Sequence, residues 1–531
     1  MAVKLVSTGV QFPDNTVQTT ASSGGGSTVD LVAASGITAA SPLNAAAVAL
    51  TSDGKIEAVS ESSSSASVTN VNYNQTNSYA TIATAIVYMP THDKCLTYTI
   101  NYDHHIMHVI THSGSTASIG STAATSLWHN SYDELQLVWE SNRNAVLFIG
   151  PGTNAQAYRR SITVSGTTPT IQSSISNGSN LGYASAIAFS KKNNMYVALM
   201  AASNRKHQRI WIGSLPSNYS VTTDFSYAIF KREHTYALEQ EQYDRFGMAY
   251  LDEPGVIVTC YNNSGDGYKM GCCVIDPISH FDLDAPGYGL RFDSGQGGRG
   301  SDMGITNTWP KNIQVAQVDG THCFLFAYIG QGKLDLGIGS VNGLSSVVEQ
   351  VHQLSSSAGG SRYKVAMAYD PDTRRVMVAY SKGTNGNLYY QWGDVDPIAK
   401  TITMDSSEHS ILAEGHSNAF PSACYHPTAK HFVVNWALVN RGSGTLTRQM
   451  LSTINIGGGS NKGNFIGFVE DSVSQNATGE VKVGGIVELG GSANLAEGSV
   501  YYVQDDGSIS TTLTPVRAGR AIKSDRLLLN D

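Results

Sequence analysis

The chain has 531 residues, a formal net charge of −8 and only 14% charged residues, with 53 glycines and abundant Ser, Thr and Asn. The charge is spread without acidic or basic blocks, which argues against a phosphate-tracking groove or a membrane-surface patch and sets nucleic acid aside as a partner. No stretch reaches the roughly 18 apolar residues of a membrane span. The start, MAVKLVSTGVQF, has no apolar core of a secretory signal, so synthesis in a cytosol without signal-peptide export is expected. Such a composition suits short strands joined by many turns, an all-β class.

In chain order, the first element is VSTGVQFPDNTVQTTASSGGGST, from Val6 to Thr28. It reads as a short β-prone segment with an Asp14-Asn15 turn, then a Ser/Gly linker that cannot pack. A segment this short has to borrow a partner surface. Phe12, Pro13, Asp14, Thr16, Val17, Gln18, Thr19, Thr20 and Ala21 match a motif, roughly FPDGTVQTTA, and the stretch resembles the attachment segments of bacteriophage tail-fibre and other virion proteins. Asn15 stands where glycine is usual, and Asn tolerates the same positive-φ turn. The resemblance implies that residues 1–28 dock the chain to a virion and drive oligomerisation, with Phe12, Pro13, Asp14, Thr16, Val17 and Gln18 carrying attachment.

Next comes AASPLNAAAVALTSDGKIEAV from Ala39, with an Asp53-Gly54 hairpin turn. It is read as the first part, residues 29–62, of a small β domain. Residues 63–77 are read as a Ser/Asn-rich linker.

From about residue 78 to 456 one pattern recurs seven times: an apolar run, a tight polar turn and a second apolar run. YMPTHDKCLTY from Tyr88, YDPDTRRVMVAY from Tyr369 and YHPTAKHFVVNW from Tyr425 nearly superimpose; looser copies lie around Trp139, Phe189, Tyr250 and Ala316. A third strand-like run follows each hairpin, for example MHVITHSG from Met107 and LYYQWGDV from Leu388. Alternating strands repeated every roughly 50 to 65 residues mark a β-propeller, whose blades are stable only when flanked by other blades. A seven-bladed propeller is expected.

The tail, residues 460–531, alternates in VKV, IVEL and VYYV and has an Asp506-Gly507 turn, so it reads as a small antiparallel barrel or sandwich. Its order, Gly-Phe, ATGEV, YYV-x-DDG, GRAI, LLL, is similar to a module at the C-terminus of phage structural proteins. The fold expected is therefore all-β: a seven-bladed propeller inserted in a small discontinuous β domain, residues 29–62 with 460–531, after a short N-terminal attachment segment.

Candidate chemistry is sparse. There is no P-loop, HExxH or GxSxG elbow; Gly415-His416-Ser417-Asn418-Ala419 lacks the second glycine, and SDMGITNTW from Ser301 only distorts a sialidase-type Asp box. The chain is read as a non-enzyme without cofactor. A glycan depolymerase would need a carboxylate pair, with Asp133, Asp244 and Glu253 the first candidates. His104, His105 and His108 lack the His-x-His alternation of a shared metal axis, since neighbouring residues of a strand face opposite ways; they are read as a blade-edge loop. The turn Ser264-Gly265-Asp266-Gly267 and the loop with Asp282 and Asp284 lack the dense oxygen ligands of a calcium site. Six cysteines show no CxxC pair or Cys/His ligand spacing and are read as buried reduced thiols, with no metal site.

An aromatic precedes the first strand of most blades: Tyr79, Tyr132, Tyr183, Tyr243, Trp309, Tyr363 and Phe420. These wedge between blades or form an aromatic circle able to stack on sugars. Tyr132, Tyr243 and Trp309, among polar neighbours, are the glycan-binding candidates. The reading is a virion tail protein, a tail fibre made in the host cytoplasm. It docks to other tail proteins, displays its propeller to a host-surface glycan or protein, and by resemblance to fibres assembles as a homotrimer. The alternative is a purely structural capsid-decoration or tail tube or nozzle component.

Overall fold

A computed structural model describes the chain outside residues 1–3, 7–8, 12–16, 19, 22–26, 40–44, 52–53, 60–66, 74–80, 102–103, 114–115, 127–134, 152–156, 178–180, 203–206, 216, 220–224, 232–245, 264–268, 278–289, 293–300, 303–309, 331, 357–364, 383–386, 413–419, 440–445, 457–464, 490–492, 505–506, 512–515 and 530–531. Among the described residues every regular element is a strand. By internal contacts they form two units, residues 68–369 with 376–455, and residues 1–67 with 370–375 and 456–531.

The larger unit is a seven-bladed propeller of antiparallel sheets. Blade one is Thr81–Met89, Lys94–Asn101, His104–Ser113 and Thr116–Ser126, paired in sequence order. Blades two to six repeat this order. Blade four has two short segments, Leu290–Phe292 and Ser301–Asp302, on its third strand Lys269–Pro277. Blade six likewise sets Thr401–Met404 and His409–Leu412 on Asn387–Asp396.

The repeated hairpin has a common backbone. In six blades a four-residue turn joins the first two strands, and its last residue has positive φ: Asp93 (51°), Asn144 (53°), Asn194 (54°), Gly255 (68°), Arg374 (56°) and Lys430 (51°). Gly, Asn and Asp adopt that conformation at little cost, whereas Arg374 and Lys430 occupy it against their intrinsic preference. The repeat seen in the sequence is thus a turn type held in place by the strands it joins.

Alternation along each strand sends side chains to the two neighbouring blades. In Lys94–Asn101, Leu96, Tyr98 and Ile100 pack with Leu137, Val146 and Phe148 of blade two. Cys95 packs the other way, with Val433 and Leu451 of blade seven. Aromatic rings of second strands lie over glycines of third strands: Phe326 is paired with Gly337, Phe324 with Gly339 and Tyr261 with Gly271. A β-carbon at any of the three would meet the ring.

The ring closes with a strand from the other end of the chain. Blade seven comprises Ser422–His426, His431–Val439 and Leu446–Asn455, and its fourth strand is Ser67–Tyr73, which precedes blade one in sequence. This corrects the reading of residues 63–77 as a linker. Asn70 accepts from Ser452 Oγ (2.5 Å) and donates to the Ile411 carbonyl (3.2 Å), while Thr453 donates to the Thr69 carbonyl. Ser452 Oγ also accepts from the buried Trp436 indole (2.8 Å).

The smaller unit joins both ends of the chain. One sheet runs Thr20–Ala21, Ser27–Val32, Thr478–Lys482, Phe465–Val469, Ala46–Leu50, Ile56–Ala58. Its core includes Leu31, Val48, Ile56, Val469 and Val481. A second sheet is formed by Gly485–Glu488, Arg526–Leu529, Arg517–Lys523, Val500–Val503 and Ile509–Ser510. Gly54 (φ 81°) lies between Ala46–Leu50 and Ile56–Ala58 of the first sheet, and Gly507 (φ 80°) between Val500–Val503 and Ile509–Ser510 of the second. The propeller is therefore an insertion in a discontinuous all-β domain.

Candidate functional site

At the junction of blades one and seven, the turn-proximal ends of the strands gather an unusual set of side chains. Cys95 is the second residue of Lys94–Asn101 and His112 the penultimate residue of His104–Ser113; His426 and His431 flank the turn of blade seven. Within the blades, Cys95 pairs with Tyr88 and Ile110, and His426 with His431; across the junction, Cys95 packs with Val433 of blade seven.

One ligand-type atom from each of Cys95, His112 and His426 lies within 4.8 Å of the others. The imidazoles of His112 and His426 are 4.5 Å apart with their planes at 64°, and His431 is 4.8 Å from His112. His112 Nδ1 shares a hydrogen bond with His431 Nε2 (2.9 Å), and His426 Nδ1 accepts from the Ala429 N–H (3.3 Å) and lies 3.8 Å from the Asp93 carboxylate. The Nε2 atoms of His112 and His426 are buried and have no hydrogen-bond partner. Cys424 Sγ adjoins Cys95 Sγ at 3.5 Å.

Burial decides the protonation of this cluster. It pushes His112 down to about 3, helped by His426 and His431, and His431 down to about 4, and it lowers His426 against the pull of Asp93. All three rings are therefore neutral at pH 7. Burial, and then Cys424, raises the Cys95 thiol well above its ordinary value. Nitrogen and sulfur donors of this kind suit borderline-soft ions.

The sequence reading assigned no metal site because no local spacing joins these ligands. The fold brings them together across the ring closure. All six cysteines are free thiols. His104, His105 and His108 lie in the third strand of blade one, not in a loop. Neighbours alternate in facing, and His105 is buried with its Nδ1 accepting from Tyr98 Oη (2.7 Å) and Arg160 Nη1 (3.2 Å). Arg160 also donates to Tyr98 Oη, and its guanidinium lies over the Tyr158 and Phe148 rings. An Arg only donates, so His105 carries its proton on Nε2. Blades one and two are thus joined by a buried polar network. His108 is buried too, and desolvation pushes it down to about 4.

Tyr132, Tyr243, Trp309, Tyr79 and Tyr363 lie outside the described residues, as do Phe12, Pro13, Asp14 and Thr16, the candidate acids Asp133 and Asp244, and the turns with Asp266, Asp282 and Asp284. Val17 and Gln18 form a strand paired with Gly9–Gln11. Tyr183 lies in the first strand of blade three. Phe420 is 1% exposed, a core residue at its position. Glu253 is exposed in the turn of blade four.

No protein-family profile matches the chain, and no curated protein sequence matches it. Solved structures similar to it include the periplasmic gluconolactonase of Pseudomonas aeruginosa, at 11% identity over 71% of this chain and 95% of that one, with a TM-score of 0.42. A putative 6-phosphogluconolactonase from Bacteroides uniformis is 11% identical over 69% and 94%, with a TM-score of 0.41. The SapL1 lectin, solved in complex with alpha methyl fucoside, is 10% identical over 59% and 95%, with a TM-score of 0.34. The class defined is a β-propeller. The expectation of a non-enzyme is corrected here, because structures titled as lactonases are among those similar to the chain. At these identities the likeness concerns the fold alone, and no activity or residue role is transferred.

Proposed function

We propose that this chain is a tail-associated virion protein of a bacteriophage. Its N-terminal segment docks to neighbouring tail proteins and its propeller meets a glycan or protein of the host surface. The observation that carries the reading is the order of parts around Ala21. The end of the FPDNTVQTTA motif, Thr20–Ala21, pairs with Ser27–Val32 as the edge of the small domain's sheet, and that domain bears the propeller as an insertion. A docking segment joined to a domain that presents a large inserted module suits a fibre or tip component. Trimeric assembly would multiply a weak glycan site through effective concentration. Tyr132, Tyr243 and Trp309 are the side chains proposed to stack on sugar.

The test is immunogold electron microscopy, with antibody raised to the propeller, on particles purified from a lysate of the strain that carries the gene. Label at the tail supports the proposal. Label over the capsid would replace it by a decoration role, and particles free of the chain by mass spectrometry would overturn it.

A further inference from the structure

We propose that Cys95, His112 and His426 form a binding site for a borderline-soft divalent cation of the zinc class, which ties blade one to blade seven where the ring closes. The three donors come from both sides of the closure: Cys95 and His112 from blade one, His426 from blade seven. Two observations independent of their proximity point to a ligand. The Nε2 atoms of His112 and His426 are buried with no partner, a state that costs free energy unless something fills it. Each has a partner for its other ring nitrogen, His431 for His112 Nδ1 and the Asp93 carboxylate, 3.8 Å away, for His426 Nδ1, the kind of outer-shell group that orients metal-binding imidazoles.

The geometry fits with a modest adjustment. Zinc bonds of about 2.0–2.1 Å to nitrogen and about 2.3 Å to sulfur set tetrahedral donors roughly 3.3–3.6 Å apart, so a triangle bounded by 4.8 Å closes by about 1 Å through side-chain rotation. The Cys95 thiol loses its proton to solvent on binding, and the His426 ring moves its proton from Nε2 to Nδ1, where it faces Asp93 and gives up the bond from Ala429. The thiolate offsets one of the two cation charges, and Asp93, 3.8 Å from His426, faces the site from the turn of blade one. The fourth position is open to water or to Cys424, whose sulfur is 3.5 Å from Cys95.

The experiment uses the untagged full chain, stripped with chelator and titrated with Zn²⁺ by calorimetry and with Co²⁺ by absorption spectroscopy. The expected result is one ion per chain, a thiolate-to-cobalt charge-transfer band and a raised melting temperature. Loss of an outer-shell partner costs about 10–100-fold in affinity, so His112→Gln or Cys95→Ser, each a direct ligand, should weaken binding by at least about 100-fold. Cys95→Ser should also abolish the charge-transfer band. No binding by the folded wild-type chain, binding without the band, or equal binding by His112→Gln would each overturn the site. His112→Gln keeps the test available if Cys95→Ser fails to fold.

Discussion

Replacing Asn70 by Ala removes a side chain that fastens the closing strand to blade seven and to the neighbouring blade six. Asn70 Oδ1 accepts from Ser452 Oγ at 2.5 Å and its amide donates to the Ile411 carbonyl at 3.2 Å. Each such bond contributes about 0.5–1.5 kcal/mol net. Ser452 and Ile411 are buried whereas Asn70 is exposed, so water can reach one side of the pair and the expected loss is about 1–2 kcal/mol. Part of it is carried by Ser452, which also holds the Trp436 indole. Urea unfolding followed by tryptophan fluorescence reads this, because Trp436 reports on the same bond chain. Ser452→Ala and the double variant complete a cycle whose coupling should be about 1 kcal/mol, as expected for residues in one network. A change within about 0.5 kcal/mol, the range of an ordinary surface substitution, would refute the claim that Ser67–Tyr73 locks the ring.

Two further outcomes follow from packing and charge. Gly337→Ala sets a β-carbon against the buried Phe326 ring and 2.8 Å from the Gln350 carbonyl, so it should destabilise the propeller by about 1–3 kcal/mol in the same urea assay, and Phe326→Leu should relieve part of that loss. Acid should weaken the propeller early. His108, His112 and His431 are held near 4, 3 and 4 by burial, below their ordinary value of 6.5. The unfolded chain therefore binds more protons between about pH 6.5 and 4, and stability present above that window is lost as pH falls through it. Buried Glu140 and Asp335, whose carboxyls are raised by desolvation above their ordinary 4.5 and 3.8, act in the opposite sense from those values upward and so offset part of the fall. His112→Gln should flatten the fall between pH 6.5 and 4 measured by thermal unfolding.

The propeller was legible because its hairpins repeat one turn between apolar alternating strands. Tyr88, Tyr369 and Tyr425 stand at equivalent places before four-residue turns, and the second strands are nearly all apolar since both faces are covered. Fourth strands were not, because they lie at the outer rim. Ser345–Ser355 alternates between exposed and covered residues, and Ser67–Tyr73, SVTNVNY, is more polar still, so it read as linker. Its role depends on a pairing with residues near the other end of the chain, which no local pattern encodes. The Cys95, His112 and His426 cluster was hidden for the same reason. His112 and His431 are 319 residues apart and meet only through closure of the ring. The one available signal was histidine on both sides of the blade seven turn, at positions 426 and 431, where the parallel hairpins have Met89 and Lys94, or Asp370 and Arg375.

The central claim, that the propeller recognises a host surface, is tested most directly by sedimenting intact cells of the bacterial host with purified protein, beside a variant carrying Tyr132→Ala, Tyr243→Ala and Trp309→Ala. Saturable binding by the wild-type chain, lost in a variant whose circular dichroism is unchanged, is the expected result. Absence of wild-type binding to a host that the phage infects would contradict the account.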